Sequence, residues 1–163
     1  MKRHAGWMCF CAMLALLLAG GVCAGAETNT HPPQMLAVRF LGVDKDWRNA
    51  SFDEADTRRQ IEERLRRAGY RLVSPEEAVR FPGAQFADYE LHVDNMLFYY
   101  SFLVFLKLRA KQPLPQNPEA FVTRVLWSDW EIGGIELHHL DRLQMPMLKL
   151  TDELVQNKST ITP

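Results

Sequence analysis

All three cysteines of this chain, Cys9, Cys11 and Cys23, lie within its first 26 residues, and residues 27–163 contain none. A domain built from that remainder has no disulfide framework and no thiol nucleophile. It must be held together by core packing. At this size a domain buries about two-thirds of the surface of its unfolded chain, which is enough for stability without cross-links.

The first 26 residues have the pattern of an export signal. Lys2 and Arg3 give a positive start, residues 7–18 form an unbroken apolar run, and residues 24–26 (Ala-Gly-Ala) suit a signal peptidase. The run is shorter than the roughly 20 residues that span a bilayer. We therefore expect cleavage after Ala26 and a periplasmic or secreted protein. A retained amino-terminal anchor is the alternative.

Cys23 raises a second alternative, lipidation of the kind found in bacterial lipoproteins. That modification needs a small residue before the cysteine and a branched apolar residue three places before it, whereas this chain has Val22 and Gly20 there. The mature protein is therefore expected to begin at Glu27 without a lipid.

The composition is that of an ordinary globular domain, with 47% apolar residues, 24% charged residues and a net charge of −1. This balance argues against a disordered tail, a coiled coil and nucleic-acid binding through a basic surface. The densest basic stretch, residues 58–67, is interleaved with acids, and Glu62 and Glu63 each precede an arginine by four residues. That spacing predicts a solvated helix face. Binding to an anionic lipid or polymer is the alternative.

The first half of the domain alternates strands and helices. Residues 35–43 are predicted to form a strand, and a capping box of Ser51 and Glu54 opens a helix that Gly69 closes. Residues 70–73 form a short strand. A second capping box at Ser74, with proline next, starts a helix of two turns.

The second half is richer in strands. Period-two alternation predicts strand over residues 87–100, with a bulge or tight turn near Asp94, and further strands over 102–111 and 121–130. A proline-rich loop, 112–118, separates the last two, and Gly133-Gly134 is expected to release the chain. A helix over 136–156 should be bent or split by Pro146.

This order predicts an α+β fold with a mostly antiparallel sheet of about five strands and two main helices packed on one face. The domain spans residues 35–156, after a polar lead-in at 27–34 and before a tail at 157–163. Its most apolar stretch, 96–106, is about half the length of a transmembrane helix and fits buried central strands. A membrane-contacting hairpin in an oligomeric ring is the weaker alternative.

No constellation for catalysis, metal or cofactor binding is found. His138 and His139 are adjacent and point apart on a helix, which does not suit metal ligation. The best remaining cluster is His138 with Asp141 and Arg142. A small enzyme or ligand-binding protein with its site near His138, Asp141 and Asp129 is the alternative function, because site residues need not be adjacent in sequence.

Alternation along residues 121–130 divides two tryptophans by role. Trp127 falls on the drier face and is expected in the core, whereas Trp130 falls beside Arg124 and Ser128 on the wetter face. An exposed indole is a typical partner anchor. We assign partner binding to Trp130 and Arg124, and to the aromatic residues where the adjoining strands meet, Tyr99 and Tyr100.

Four short segments resemble, in order and spacing, a module of bacterial envelope proteins. They are Ala-Val-Arg-Phe at 37–40, Gly-Tyr-Arg-Leu-Val-Ser at 69–74, Ala-Asp-Tyr-Glu-Leu-His-Val at 87–93 and Val-Leu-Trp-Ser at 125–128. The module is similar to the amino-terminal domain of TolB, the curli secretion lipoprotein, the Pel polysaccharide export lipoprotein and the lipoprotein activators of penicillin-binding proteins. The resemblance implies a non-catalytic periplasmic domain that assembles with other envelope components, and it supplies no catalytic residues.

We therefore expect an interaction or assembly module of the bacterial cell envelope that is not an enzyme and uses no cofactor or metal. Its partner would be an envelope protein or polymer, with homo-oligomerisation open. Nucleic acid is not an expected partner, and membrane contact is less favoured.

Overall fold

The computed structural model describes residues 34–42, 52–95, 99–136 and 139–161. These residues form one five-stranded sheet with helices, which confirms the predicted α+β class. The elements in chain order are β1 (Met35–Leu41), α1 (Glu54–Arg67), β2 (Arg71–Leu72), α2 (Pro75–Ala78), β3 (Gln85–Asn95), β4 (Tyr99–Leu114), β5 (Asn117–Glu136), a 3-10 helix (Leu140–Leu143) and α3 (Gln144–Gln156).

The sheet is mixed, so the prediction of a mostly antiparallel sheet is wrong. Its strand order is β2-β1-β3-β4-β5, and β1 pairs in parallel with both β2 and β3. The reason is the two helical connections, α1 between β1 and β2 and α2 between β2 and β3, because a helical crossover returns the chain parallel to the strand that it left. Only β3, β4 and β5 follow one another in antiparallel pairs.

The two capping predictions for the first helices have different outcomes. Asp53 caps α1 by accepting a hydrogen bond from the backbone N–H of Asp56, 2.9 Å away, and the proposed cap Ser51 lies outside the described residues. Gly69 follows the helix with φ +82°, a conformation that favours glycine. Ser74 caps α2 as predicted, through the N–H of Glu77, but α2 has a single turn.

The β4–β5 hairpin is longer than predicted at both ends. Residues 112–114 and 117–118 belong to strands, so the predicted loop shrinks to a turn at 115–116. Gly133 does not release the chain, because it lies opposite Phe102 in the ladder. A Cβ atom at Gly133 would lie 2.6 Å from the Phe102 ring, so the missing side chain makes room for the ring to cover the strand.

The predicted last helix begins late. Residues 131–136 are strand, the chain then forms the 3-10 helix, and α3 starts at Gln144. Pro146 therefore lies in the first turn of α3, where a backbone N–H has no intrahelical acceptor to lose. None of the helices in the described ranges is both long and apolar enough to cross a membrane.

The main core lies between one sheet face and the helices α1 and α3. Strand residues at alternate positions, such as Val104, Leu106 and Leu108, are fully buried there. The hydroxyl group of Tyr89 lies 2.7 Å from Thr151 Oγ1, which donates to the carbonyl of Met147, so this buried hydroxyl pair ties β3 to α3. A buried hydroxyl that is hydrogen-bonded avoids a desolvation penalty.

Candidate interaction surface

The other face of the sheet is only partly covered. Near the start of β1 and β3, α2 packs over a small apolar cluster that includes Ala37, Ala78 and Phe86. Beyond it, no helix of the described residues lies over the side chains that alternate with the core positions, such as Phe105 and Lys107. We call this uncovered part the open face.

An ion network occupies the middle of the open face. Asp88 is completely buried and accepts from Arg39 at 2.6 and 2.8 Å, with Arg109 Nε at 3.3 Å from its other side. Glu90, one row further along, lies 2.7 Å from Lys107 Nζ and 3.4 Å from Arg109 Nη2. Because Arg109 contacts both carboxylates, the network has two negative and three positive groups, and one positive charge remains.

Four apolar side chains lie beyond this network and define what we call the apolar patch: Leu103, Phe105, Trp130 and Ile132. Phe105 lies directly opposite Trp130, and Leu103 lies opposite Ile132. Directly opposite residues of an antiparallel pair share a face, with Cβ atoms about 5 Å apart. Trp130 is 55% exposed and Ile132 is 62% exposed, which is unusual for neighbouring large apolar side chains.

The neighbours of Phe105 fix its position in the patch. The His92 ring meets it edge-on at 6.1 Å between centroids, and the Lys107 ammonium lies 5.1 Å from the ring centroid. The patch therefore consists of an aromatic platform on β4 and two exposed side chains on the edge strand β5. Such a surface, with apolar residues beside paired charges, can bind another macromolecule, and it offers no nucleophile paired with a base.

The four predicted partner-binding residues lie on two faces. Trp130 and Tyr99, which is 48% exposed, belong to the open face. Tyr100 instead packs against the main core, and Arg124 lies opposite Ala110 on the helix-covered side. Tyr100 faces the core because it alternates with Tyr99 on β4. Arg124 does so because β5 has a bulge at Leu126, with Trp127 opposite Leu108 and Val125 opposite the next residue of β4.

The alternative site around His138 is only partly described. His138 lies outside the described residues, Asp141 is exposed in the 3-10 helix, and His139 Nε2 lies 3.9 Å from Glu136 Oε2. Asp129 is on β5, where its Oδ1 accepts from the backbone N–H of Trp130 at 2.8 Å. No group of three potential metal ligands occurs in the part of the chain that the structure describes.

Sequence reasoning missed most of the open face. Leu103, Phe105 and Ile132 were not singled out, and neither was the buried Asp88. A signal for them exists in β4, where Lys107 and Arg109 recur at period two with Leu103 and Phe105. This alternation marks a face that is not core.

No protein-family model matches this chain, and no curated protein matches it either. Among solved structures, a hypothetical protein of Chlamydia trachomatis, CT253, is similar with a TM-score of 0.43 and 11% sequence identity. The match covers 79% of this chain and 97% of that one. A similarity at this level carries no functional argument.

Proposed function

We propose that this chain is a non-catalytic interaction module of the bacterial cell envelope, exported to the periplasm, and that it binds an envelope protein through the open face. The observation that carries the proposal is the pair of exposed side chains Trp130 and Ile132, at 55% and 62% exposure, beside the platform of Phe105. Tryptophan is among the residues most enriched in binding hot spots. The export pattern of residues 1–26 supports the compartment.

The chemistry of the open face favours a protein partner. The apolar patch would take aliphatic or aromatic side chains, and the neighbouring network of Asp88, Glu90 and their cations would form a polar rim. Since that network has a net charge of only +1, it would contribute orientation more than attraction. A charged polymer has less to recognise here, and its binding is an outcome that the experiment can register.

The test is capture from a periplasmic extract of the source organism with three immobilised proteins: the unmodified chain, Trp130→Ala and Met145→Ala. Met145 is 60% exposed on α3, far from the open face in the fold, and is the matched control for loss of an exposed apolar side chain. We expect a stoichiometric protein partner that Trp130→Ala loses and Met145→Ala retains. Equal capture by all three proteins would refute the proposed surface.

The compartment is tested separately by the intact mass of the protein released by osmotic shock. A chain that starts at Glu27 without an adduct supports the proposal. A diacylglyceryl adduct on Cys23 or an uncleaved amino terminus would contradict it. The alternative function near His138 and Asp141 would instead be favoured by a metal or small molecule that stays bound through purification.

A further inference from the structure

The outer edge of β5 is the longest unpaired edge in the described part of the sheet. β5 has 20 residues, is last in the strand order and pairs only with β4. The opposite edge strand, β2, has two residues. A long exposed strand edge presents unpaired N–H and C=O groups that bind another strand. Two backbone N–H groups of β5 are bonded by nearby side chains, that of Glu119 by Asn117 and that of Trp130 by Asp129.

The bulge at Leu126 restricts how β5 can pair with its own copy along its whole length. When a strand pairs with its own copy in antiparallel fashion about a two-fold axis, opposite residues must share a face. The bulge exchanges the faces along β5, so odd positions before it and even positions after it belong to the open face. An axis between Leu126 and Trp127 therefore matches the faces. It places Val125 opposite Ser128, Thr123 opposite Trp130, and Phe121 opposite Ile132.

The same register brings opposite charges together on the helix-covered side. It places Arg124 of each copy opposite Asp129 of the other. Arg124 is exposed and makes no ion pair within the described residues. Asp129 belongs to an acidic group with Glu131 and Glu153 that surrounds one cation, Lys149, whose ammonium lies 2.6 Å from Glu131.

This acidic group carries more negative charge than Lys149 neutralises. Burial, reinforced by the charge of Asp129, raises the pKa of Glu153 above its ordinary value. An arginine brought in by a second copy would relieve this repulsion, and the two-fold axis would repeat the contact. Phe121, which is 50% exposed, and Ile132 would lie side by side on the open face, and the axis would repeat this contact as well.

We propose that two copies of this chain pair through β5, antiparallel about an axis between Leu126 and Trp127, and so form one continuous ten-stranded sheet. Because the axis is perpendicular to the sheet, both open faces lie on the same side of the dimer. The inference concerns the strand edge and does not rest on the proposed function. Failure of either one leaves the other standing.

The test is sedimentation velocity of the protein, as it is processed in the expressing cell, over a range of concentrations. We expect a dimer for the unmodified chain. Arg124→Asp and Asp129→Arg, each alone, should weaken dimerisation by about tenfold to a hundredfold, because each variant creates two like-charge contacts. An equimolar mixture of the two variants should dimerise again, since each would supply the charge that the other lacks. Arg71→Asp, on the opposite sheet edge, is the matched control and should dimerise normally.

A second measurement fixes the register without altering charge. Val125→Cys and Ser128→Cys face each other across the proposed axis, so a mixture of these two variants should form a disulfide under mild oxidation. Neither variant alone should cross-link through this position, because each cysteine would be three residues away from its own copy. A chain that stays monomeric throughout, a charge-variant mixture that does not pair, or a disulfide between the introduced cysteines of either single variant would each overturn the proposal.

Discussion

The two faces of the sheet are made by the same strands, but helices cover only one of them fully. On the helix-covered face, β4 contributes Val104, Leu106 and Leu108, all fully buried under α1 and α3. On the open face, the residues between them are half-buried or charged, and the neighbouring Trp130 and Ile132 remain mostly exposed. The helix-covered face thus provides most of the apolar burial of the domain, whereas the open face leaves large apolar side chains in contact with solvent.

This difference predicts where the domain should tolerate the loss of an apolar side chain. Burial of apolar area is the dominant stabilising contribution to folding, so losses on the helix-covered face should destabilise the domain strongly. Losses on the open face should leave it folded. The same residue type can be compared on both faces, because β4 and β5 carry matched pairs.

The largest contrast is expected for two leucines of β4. Leu106→Ala should lower the free energy of unfolding by about 2–5 kcal/mol, since it leaves a cavity in the main core. Leu103→Ala, on the open face, should lower it by less than about 1 kcal/mol. Urea unfolding of both variants checks the pair, and equal losses would show that the open face is packed after all.

The two tryptophans of β5 give the next contrast. Trp127 is half-buried against the main core, so Trp127→Ala should cost about 3 kcal/mol, the low end of the range for a buried tryptophan. Trp130→Ala should change stability by no more than about 0.5 kcal/mol while weakening partner capture. If both variants unfold the domain, Trp130 is a core residue and the proposed surface must be withdrawn.

Local signals in the sequence predicted the helices better than the sheet. The stop at Gly69 and the cap at Ser74 could be predicted because their rules operate within a few residues. Strand pairing depends on residues far apart in the chain, so the parallel partners of β1 were not visible. Gly133 was misread for the same reason, since its role depends on Phe102 in the neighbouring strand.

The candidate surface shows the same limit. Alternation gave the exposure of Trp130 correctly, but the bulge at Leu126 moved Arg124 to the other face. A bulge depends on the register against the partner strand, and no pattern within residues 121–130 indicates it. The sequence did not indicate that Asp88 is a buried anion, because the two arginines that contact it come from β1 and β4.

A substitution in the ion network can show whether the middle of the open face contributes to the stability of the domain. Asp88→Asn keeps the shape of the side chain but removes the charge that binds Arg39 and Arg109, and it should cost about 2 kcal/mol. The loss is moderate because both guanidinium groups keep some contact with water. Asp94→Asn, exposed near the end of β3, is the control and should be almost neutral. A neutral Asp88→Asn would show that the buried charge adds no net stability.

The smallest effect concerns a tyrosine of the main core and appears only in alkali. Burial raises the pKa of Tyr70 to about 12, whereas an unfolded tyrosine titrates near 10. Between these two pH values the unfolded chain has lost the proton and the folded chain retains it, so stability falls as pH rises from about 10. At pH 11 this titration of Tyr70 should have lowered the free energy of unfolding by roughly 1 kcal/mol. Burial also raises the pKa of Tyr89, which adds to the decline in the same direction.

Tyr70→Phe should therefore flatten the alkaline part of the curve of unfolding free energy against pH. A curve that keeps its full slope in this variant would mean that the hydroxyl of Tyr70 is in contact with water in the folded protein.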